Sequence, residues 1–151
     1  MASDPSVPLC PSAHPDLPGA RVFAVVVGSV DQPRADYLEH AVPLTGEIRA
    51  LAAPVDPAEV FRMASPCVGS ACGHFDAGGH VCRLARKTAA LAPIVVERLP
   101  RCAIRPQCVW WKQEGVSACR RCPQVATLNF KPGEAIRAAA DPAVPLAQAR
   151  A

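Results

Sequence analysis

Aromatic side chains are scarce in this chain, with one tyrosine, two tryptophans and four phenylalanines among 151 residues. Seventeen prolines stand against them. Proline donates to neither a helix nor a sheet ladder, so this balance argues against a regular helical bundle or a strand-rich sandwich. Long apolar runs are missing as well. The longest, Val22 to Val27, falls far short of the roughly 20 residues that span a bilayer. Met1 to Ala20 is polar, carries Asp4 and Asp16, and holds no apolar stretch of signal-peptide length. The expectation is a cytoplasmic protein with no membrane segment.

The usual hydrolytic constellations are also absent. Gly28-Ser29 follows an apolar run but lacks the glycine-flanked elbow of a nucleophilic serine. Four scattered histidines form no triad and no His-x3-His pair, and no phosphate-binding glycine loop is present. A self-contained enzyme is therefore not the expectation.

Cysteine, by contrast, is abundant and ordered. Seven of the eight cysteines lie between Cys67 and Cys122, in one spacing pattern written twice. The first copy is Cys67-x4-Cys72-x9-Cys82-Arg83, and the second is Cys102-x5-Cys108-x10-Cys119-Arg120. Each places a ring pair after its middle cysteine, His74-Phe75 and Trp110-Trp111, and a glycine before its third, Gly79 and Gly115. The second copy adds Cys122, making Cys119-x2-Cys122-Pro123. Repeated thiols with neighbouring rings and turn glycines suggest a ligand cage. In a reducing compartment such clusters serve as metal ligands or redox centres more often than as disulfides.

Four readings compete. Iron–sulfur clusters take four thiolates, and a cysteine followed by proline closes the bacterial ferredoxin run, although the rest of that closely spaced run is missing here. Structural zinc uses short Cys-x2-4-Cys hooks, which Cys67-x4-Cys72 and Cys119-x2-Cys122 could supply, with His74 or His80 as a further ligand; the other gaps are loose for zinc. A redox dithiol at Cys119-x2-Cys122 would need a βαβ setting, and only one convincing strand precedes it. A disulfide staple conflicts with the expected compartment. The spacing favours an iron–sulfur cluster, of the four-iron–four-sulfur type, over zinc.

Cys102, Cys108, Cys119 and Cys122 make a complete four-thiolate set, whereas Cys67, Cys72 and Cys82 lack a fourth sulfur. That second set could take His74 or His80, or leave a position open to a substrate, a partner or Cys10. Flanked by Leu9 and Pro11, Cys10 reads as a spare thiol. The glycines Gly69, Gly78 and Gly79 read as turns that let backbone amides approach the sulfurs. Trp110 and Trp111 are expected to wall the site and limit solvent access; stacking a nucleotide base is the alternative. From Glu97 to Lys131 seven basic residues stand against two acidic ones. They read either as a solvated face or as cations that offset thiolate charge, with nucleic-acid binding a weaker option.

The remaining pattern gives a coarse architecture. Residues 1–20 read as a disordered Pro-rich leader, 21–66 as a strand, turn and short-helix segment, 67–130 as the metal-binding domain and 131–151 as a flexible tail. Arg21–Gly28 is β-branched and bounded by glycines, hence a strand, with an extended partner near Tyr37–Leu44 after a turn at Asp31-Gln32-Pro33. Asp56-Pro57 predicts a helix start, continuing to Met63. Leu84, Thr88, Leu91, Val95 and Leu99 recur at helical spacing, with Pro93 interrupting. The expected class is a small, irregular α+β domain organised by metal, with a short sheet and one main linking helix.

Ala64 to Val125, with its blocks Gly73-His74-Phe75-Asp76 and Cys108-Val109-Trp110-Trp111-Lys112-Gln113-Glu114-Gly115, resembles uncharacterised small cysteine-rich bacterial proteins. That resemblance implies a recurring module and supplies no activity, cofactor or partner. From the residues themselves, the expected function is iron–sulfur cluster binding in electron transfer, or as an accessory to a larger enzyme system through a protein partner. A zinc-stabilised module docking a protein or nucleic acid is the alternative.

Overall fold

The computed structural model describes residues 7–28, 33–76, 78–79, 81–94, 96, 98–122, 139 and 142–143. The expected turn at Asp31-Gln32 and all of the expected flexible tail but residues 139 and 142–143 lie outside them. The fold is α+β: a four-stranded antiparallel sheet packed by short helices and a separate two-stranded hairpin.

The sheet is built on β2 (Arg21–Gly28), where the sequence places it. It pairs with β3 (Pro33–Pro43) on one side and β4 (Phe61–Pro66) on the other, and β4 pairs with β1 (Leu9–Cys10), giving the order β1-β4-β2-β3. The register shifts at Phe23 in both pairings: against β4 the extra residue is on β2, a β-bulge, whereas against β3 the extra residues lie on β3 between Tyr37 and Val42. The effect of the bulge is to break the alternation of faces, because a bulge sets two consecutive residues against one on the partner strand. Phe23 and Ala24 thus both join the core on the cysteine side, while Val22 and Val25 join the other.

Residue chemistry explains the second face. Thr45 caps α1 (Gly46–Ala52), accepting from the Ile48 amide at 3.3 Å. Asp56 caps α2 (Pro57–Val60), accepting from the Ala58 amide at 2.8 Å with Pro57 at the first helical position, as the sequence predicts. The expected continuation to Met63 does not occur. The chain turns extended at Phe61 and alternates Phe61 and Met63 toward one core with Arg62 and Ala64 toward the other side of the sheet. An all-buried strand has no polar face to reveal its period of two.

Residues 7–20 are ordered along the sheet rather than forming a free leader. Leu9 is wholly buried, and Ser12 and Ala13 are buried beside it. The Ala13 amide donates to the Met63 carbonyl at 3.2 Å, and Arg49 of α1 donates to the Pro15 carbonyl at 2.6 Å and pairs with Asp16 at 3.2 Å. Prolines fit here because an edge segment needs few amide donors.

The linking helix α3 (Arg83–Leu91) is shorter than the periodicity predicts, ending at Ala92 before Pro93. Leu84 and Thr88 are buried as expected, but Lys87 is buried with them and Leu99 is exposed. The hairpin β5 (Phe75–Asp76) and β6 (Val81–Cys82) leads into α3, and α4 (Val109–Glu114) and α5 (Val116–Cys119) close the fold. Among the described residues, no helix is long and apolar enough to cross a membrane.

Candidate metal centre

Local chain geometry delivers the four cysteines of the second copy. A single 3-10 turn, Arg105–Gln107, starts from the Cys102 carbonyl, which accepts from the Arg105 amide at 3.1 Å. Cys108 closes that turn, donating to the Arg105 carbonyl at 3.1 Å, and its own carbonyl then opens α4. At Gly115, φ is 66° and ψ is −145°, a conformation open essentially to glycine alone, so α4 stops and α5 folds back to bring Cys119 inward. Arg121 holds the next turn by donating to the Ala92 carbonyl at 2.7 Å and to the Ser117 hydroxyl at 2.7 Å, and Cys122 follows.

The result is convergence on one space. Cys102, Cys108, Cys119 and Cys122 line a single small cavity of about 20 Å³ together with Phe23, Tyr37, Ile104 and Trp110. Trp110 is 1% exposed and forms the wall expected of it. Its indole Nε1 is buried without a hydrogen-bond partner. Trp111 is half-buried, with the Arg105 guanidinium 5.3 Å from its ring centre.

Burial pushes all four thiols toward the protonated form, Cys108 to about 11. Opposing this, each sulfur has a donor or cation at hand. The amides of Ile104 and Arg105 face Cys102, those of Trp111 and Trp110 face Cys108, the Arg105 side chain hydrogen-bonds Cys119, and the Arg62 guanidinium stands beside Cys122. Arg62 is 5% exposed and donates to the Cys122 carbonyl at 3.1 Å. A buried cation beside a thiol lowers the cost of a thiolate there.

The basic run of the sequence is thus partly internal. Arg105 serves the site and donates to the Pro100 carbonyl, while Arg120 holds the Val96 carbonyl at 3.1 Å. Lys131 and Glu97 lie outside the described residues. Cys102 also borders an open surface groove lined by Leu38, Arg101, Arg105 and Trp111.

The first copy uses related local devices. Its middle cysteine also closes a 3-10 turn: Cys72 donates to the Gly69 carbonyl at 2.9 Å at the end of Gly69–Ala71. The Cys72 sulfur accepts from the His74 amide at 3.4 Å, and the Phe75 amide returns to the Cys72 carbonyl at 3.1 Å. Phe75 pairs with Cys82 across the hairpin, and the Cys82 sulfur caps α3 by accepting from the Ala85 amide at 3.4 Å. Cys67 is exposed, just past the end of β4.

Two sequence expectations need correction here. The amides of Gly78 and Gly79 turn to the Asp76 carboxylate, at 3.0 and 3.4 Å, not to a sulfur. Cys10 is not remote from the other cysteines either, because its strand pairs with β4, where it stands opposite Ser65, two residues before Cys67. Burial pushes the Cys10 thiol up to about 12, and the neighbouring charges of Cys82, Cys67 and Cys72 push the same way. His74 is buried, and His80 lies outside the described residues.

No protein-family model, curated protein or solved structure matches this chain. Among the described residues, no three or more His, Cys, Asp or Glu side chains are grouped tightly enough to hold a metal ion. The second-copy thiols instead surround a cavity. Sequence reasoning missed Arg62, Tyr37 and Phe23 in its lining and surround because each comes from the sheet and is brought to these four cysteines by strand pairing, not by nearness to them in the chain. The one available sign was Arg62, a lone charge within an otherwise apolar stretch.

Proposed function

We propose that this chain is an iron–sulfur protein that holds a four-iron–four-sulfur cluster on Cys102, Cys108, Cys119 and Cys122. It would serve electron transfer, or a larger enzyme system as an accessory through a protein partner, in the cytoplasm. The observation that carries this reading is the shared cavity: four thiols from three turns of chain line one space walled by Phe23, Tyr37, Ile104 and Trp110. The donor set fits the group. Four sulfurs match its ligand number, and amide donors at Cys102 and Cys108 with guanidinium groups at Cys119 and Cys122 suit thiolates bound to iron.

A tetrahedral zinc would draw four sulfurs to about 2.3 Å from a single point, whereas a cluster holds its cysteines around a larger body; measuring zinc beside iron and sulfide therefore separates the two. When bound, such a cluster supplies one-electron chemistry at a potential set by its surroundings. The chain's own residues do the tuning. Trp110 and Phe23 exclude water, and Arg62 and Arg105 place positive charge beside the sulfurs.

The basic run lends little to a nucleic-acid interface, since Arg105, Arg120 and Arg121 are engaged with main-chain carbonyls. The test is metal analysis of anaerobically purified protein. The proposal expects brown protein with iron and acid-labile sulfide, and Cys108→Ser should remove this cluster's share of both. Colourless protein with stoichiometric zinc would sink it.

A further inference from the structure

Strand pairing brings Cys10 toward the three-cysteine set of the first copy. In the β1–β4 ladder Cys10 lies opposite Ser65 and Leu9 opposite Pro66, and the Cys67 amide extends the ladder by donating to the Pro8 carbonyl at 2.9 Å. Side chains alternate along paired strands, so Cys10, Ser65 and Cys67 share one face, with Cys10 and Cys67 as diagonal neighbours. Diagonal neighbours stand roughly 7–8 Å apart, close enough to ligate one cluster and too wide for a single ion without movement. The other two sulfurs are presented by amide bonds. Cys72 accepts from His74 and Cys82 accepts from Ala85, each at 3.4 Å, and the hairpin ties Phe75 to both cysteines. Helix α4 packs against both β1 and β6, so the strand that carries Cys10 and the strand that carries Cys82 stand against one helix.

The two cysteine sets are also joined to each other. Leu9 forms a parallel bridge with Cys108, so adjacent residues of one strand reach both sets. From α4, the Gln113 side chain accepts from the Cys82 amide and donates to the Cys82 carbonyl, both at 2.8 Å.

We propose that Cys10, Cys67, Cys72 and Cys82 form a second four-thiolate site that binds its own iron–sulfur cluster beside the first. The kind of cofactor rests on the reading above; the four-cysteine grouping does not. His74 then supplies an amide to Cys72 instead of an imidazole to the metal.

The experiment reconstitutes full-length protein anaerobically with ferrous iron and sulfide, then measures iron, sulfide and native mass per chain. Wild type should hold two cofactor masses, Cys10→Ser and Cys108→Ser one each, and the double variant none. Equal content in wild type and Cys10→Ser overturns the proposal, as does a wild type whose entire content is abolished by Cys108→Ser alone. If the protein binds zinc instead, the cluster reading fails, yet loss of half the zinc in Cys10→Ser upholds the second site. Should Cys10→Ser not fold, alkylation of the loaded wild type decides. The exposed Cys67 should resist iodoacetamide until a chelator strips the metal, and prompt labelling at full metal load overturns the site.

Discussion

At the scale of single residues, the sulfurs illustrate how a buried acid depends on its neighbours. A thiol taken out of water favours its neutral form, and burial raises Cys10 to about 12 and Cys108 to about 11 from an ordinary 9.0. In metal-free protein this makes stability depend on pH with a definite sign. Between pH 9.0 and about 12 the folded state binds more protons than the unfolded one, so stability falls as pH rises. The contribution is fully present below the unfolded value and lost through the folded ones. The urea midpoint of reduced, metal-free protein should therefore hold level below pH 9.0 and decline above it, with a shallower decline in a Cys10→Ser, Cys108→Ser double variant. Identical curves for the two proteins would contradict the assignment. The thiols themselves were legible in the sequence, since identity and spacing suffice to nominate a ligand. Arg62 was not, because a cation 60 residues from Cys122 reaches it only when β4 packs over the site.

Among the elements, short turns do more than helices. Both middle cysteines close one-turn 3-10 segments, and neither turn has enough residues for an apolar period to betray it. The β2 strand was legible because its β-branched run is bounded by glycines; the bulge at Phe23 was not, since it depends on the pairing with β4. Strand β4 was hidden within an apparent helix because it is buried on both faces and shows no polar alternation. Gly115 offers a direct test of the turn that directs Cys119 inward. A Cβ there would meet no atom within 4 Å, so any loss reports backbone strain alone. Gly115→Ala should destabilise the metal-free protein by about 1–3 kcal/mol, read as a lower denaturant midpoint. Gly46→Ala, equally uncrowded and with no positive φ, should instead raise that midpoint, by about 0.4–1 kcal/mol of stability.

Taken whole, the molecule is a sheet with two cores, one apolar and one lined with sulfur. Phe61, Met63, Val22 and Ala52 fill the first, and Leu9, Phe23, Ile104, Cys108 and Trp110 the second. Gln113 joins the two cysteine sets, and Gln113→Leu would leave the Cys82 amide without its partner and remove one donor to the Cys82 carbonyl. A loss of about 1–3 kcal/mol is expected in chemical denaturation. Metal bound by the first-copy cysteines should be released to a chelator sooner than metal bound by Cys102, Cys108, Cys119 and Cys122; equal release rates would show that the clamp does not hold β6. The chain by itself determined the α+β class, the central strand, the Asp56 cap and the doubled cysteine spacing. Each is a local matter of residue type and interval. Tertiary structure alone decided that Cys10 stands opposite Ser65, two residues before Cys67, that Arg62 stands against Cys122 and that four thiols share one cavity. Strand pairing and burial join residues far apart in the chain, and no local interval records which strand will lie beside which.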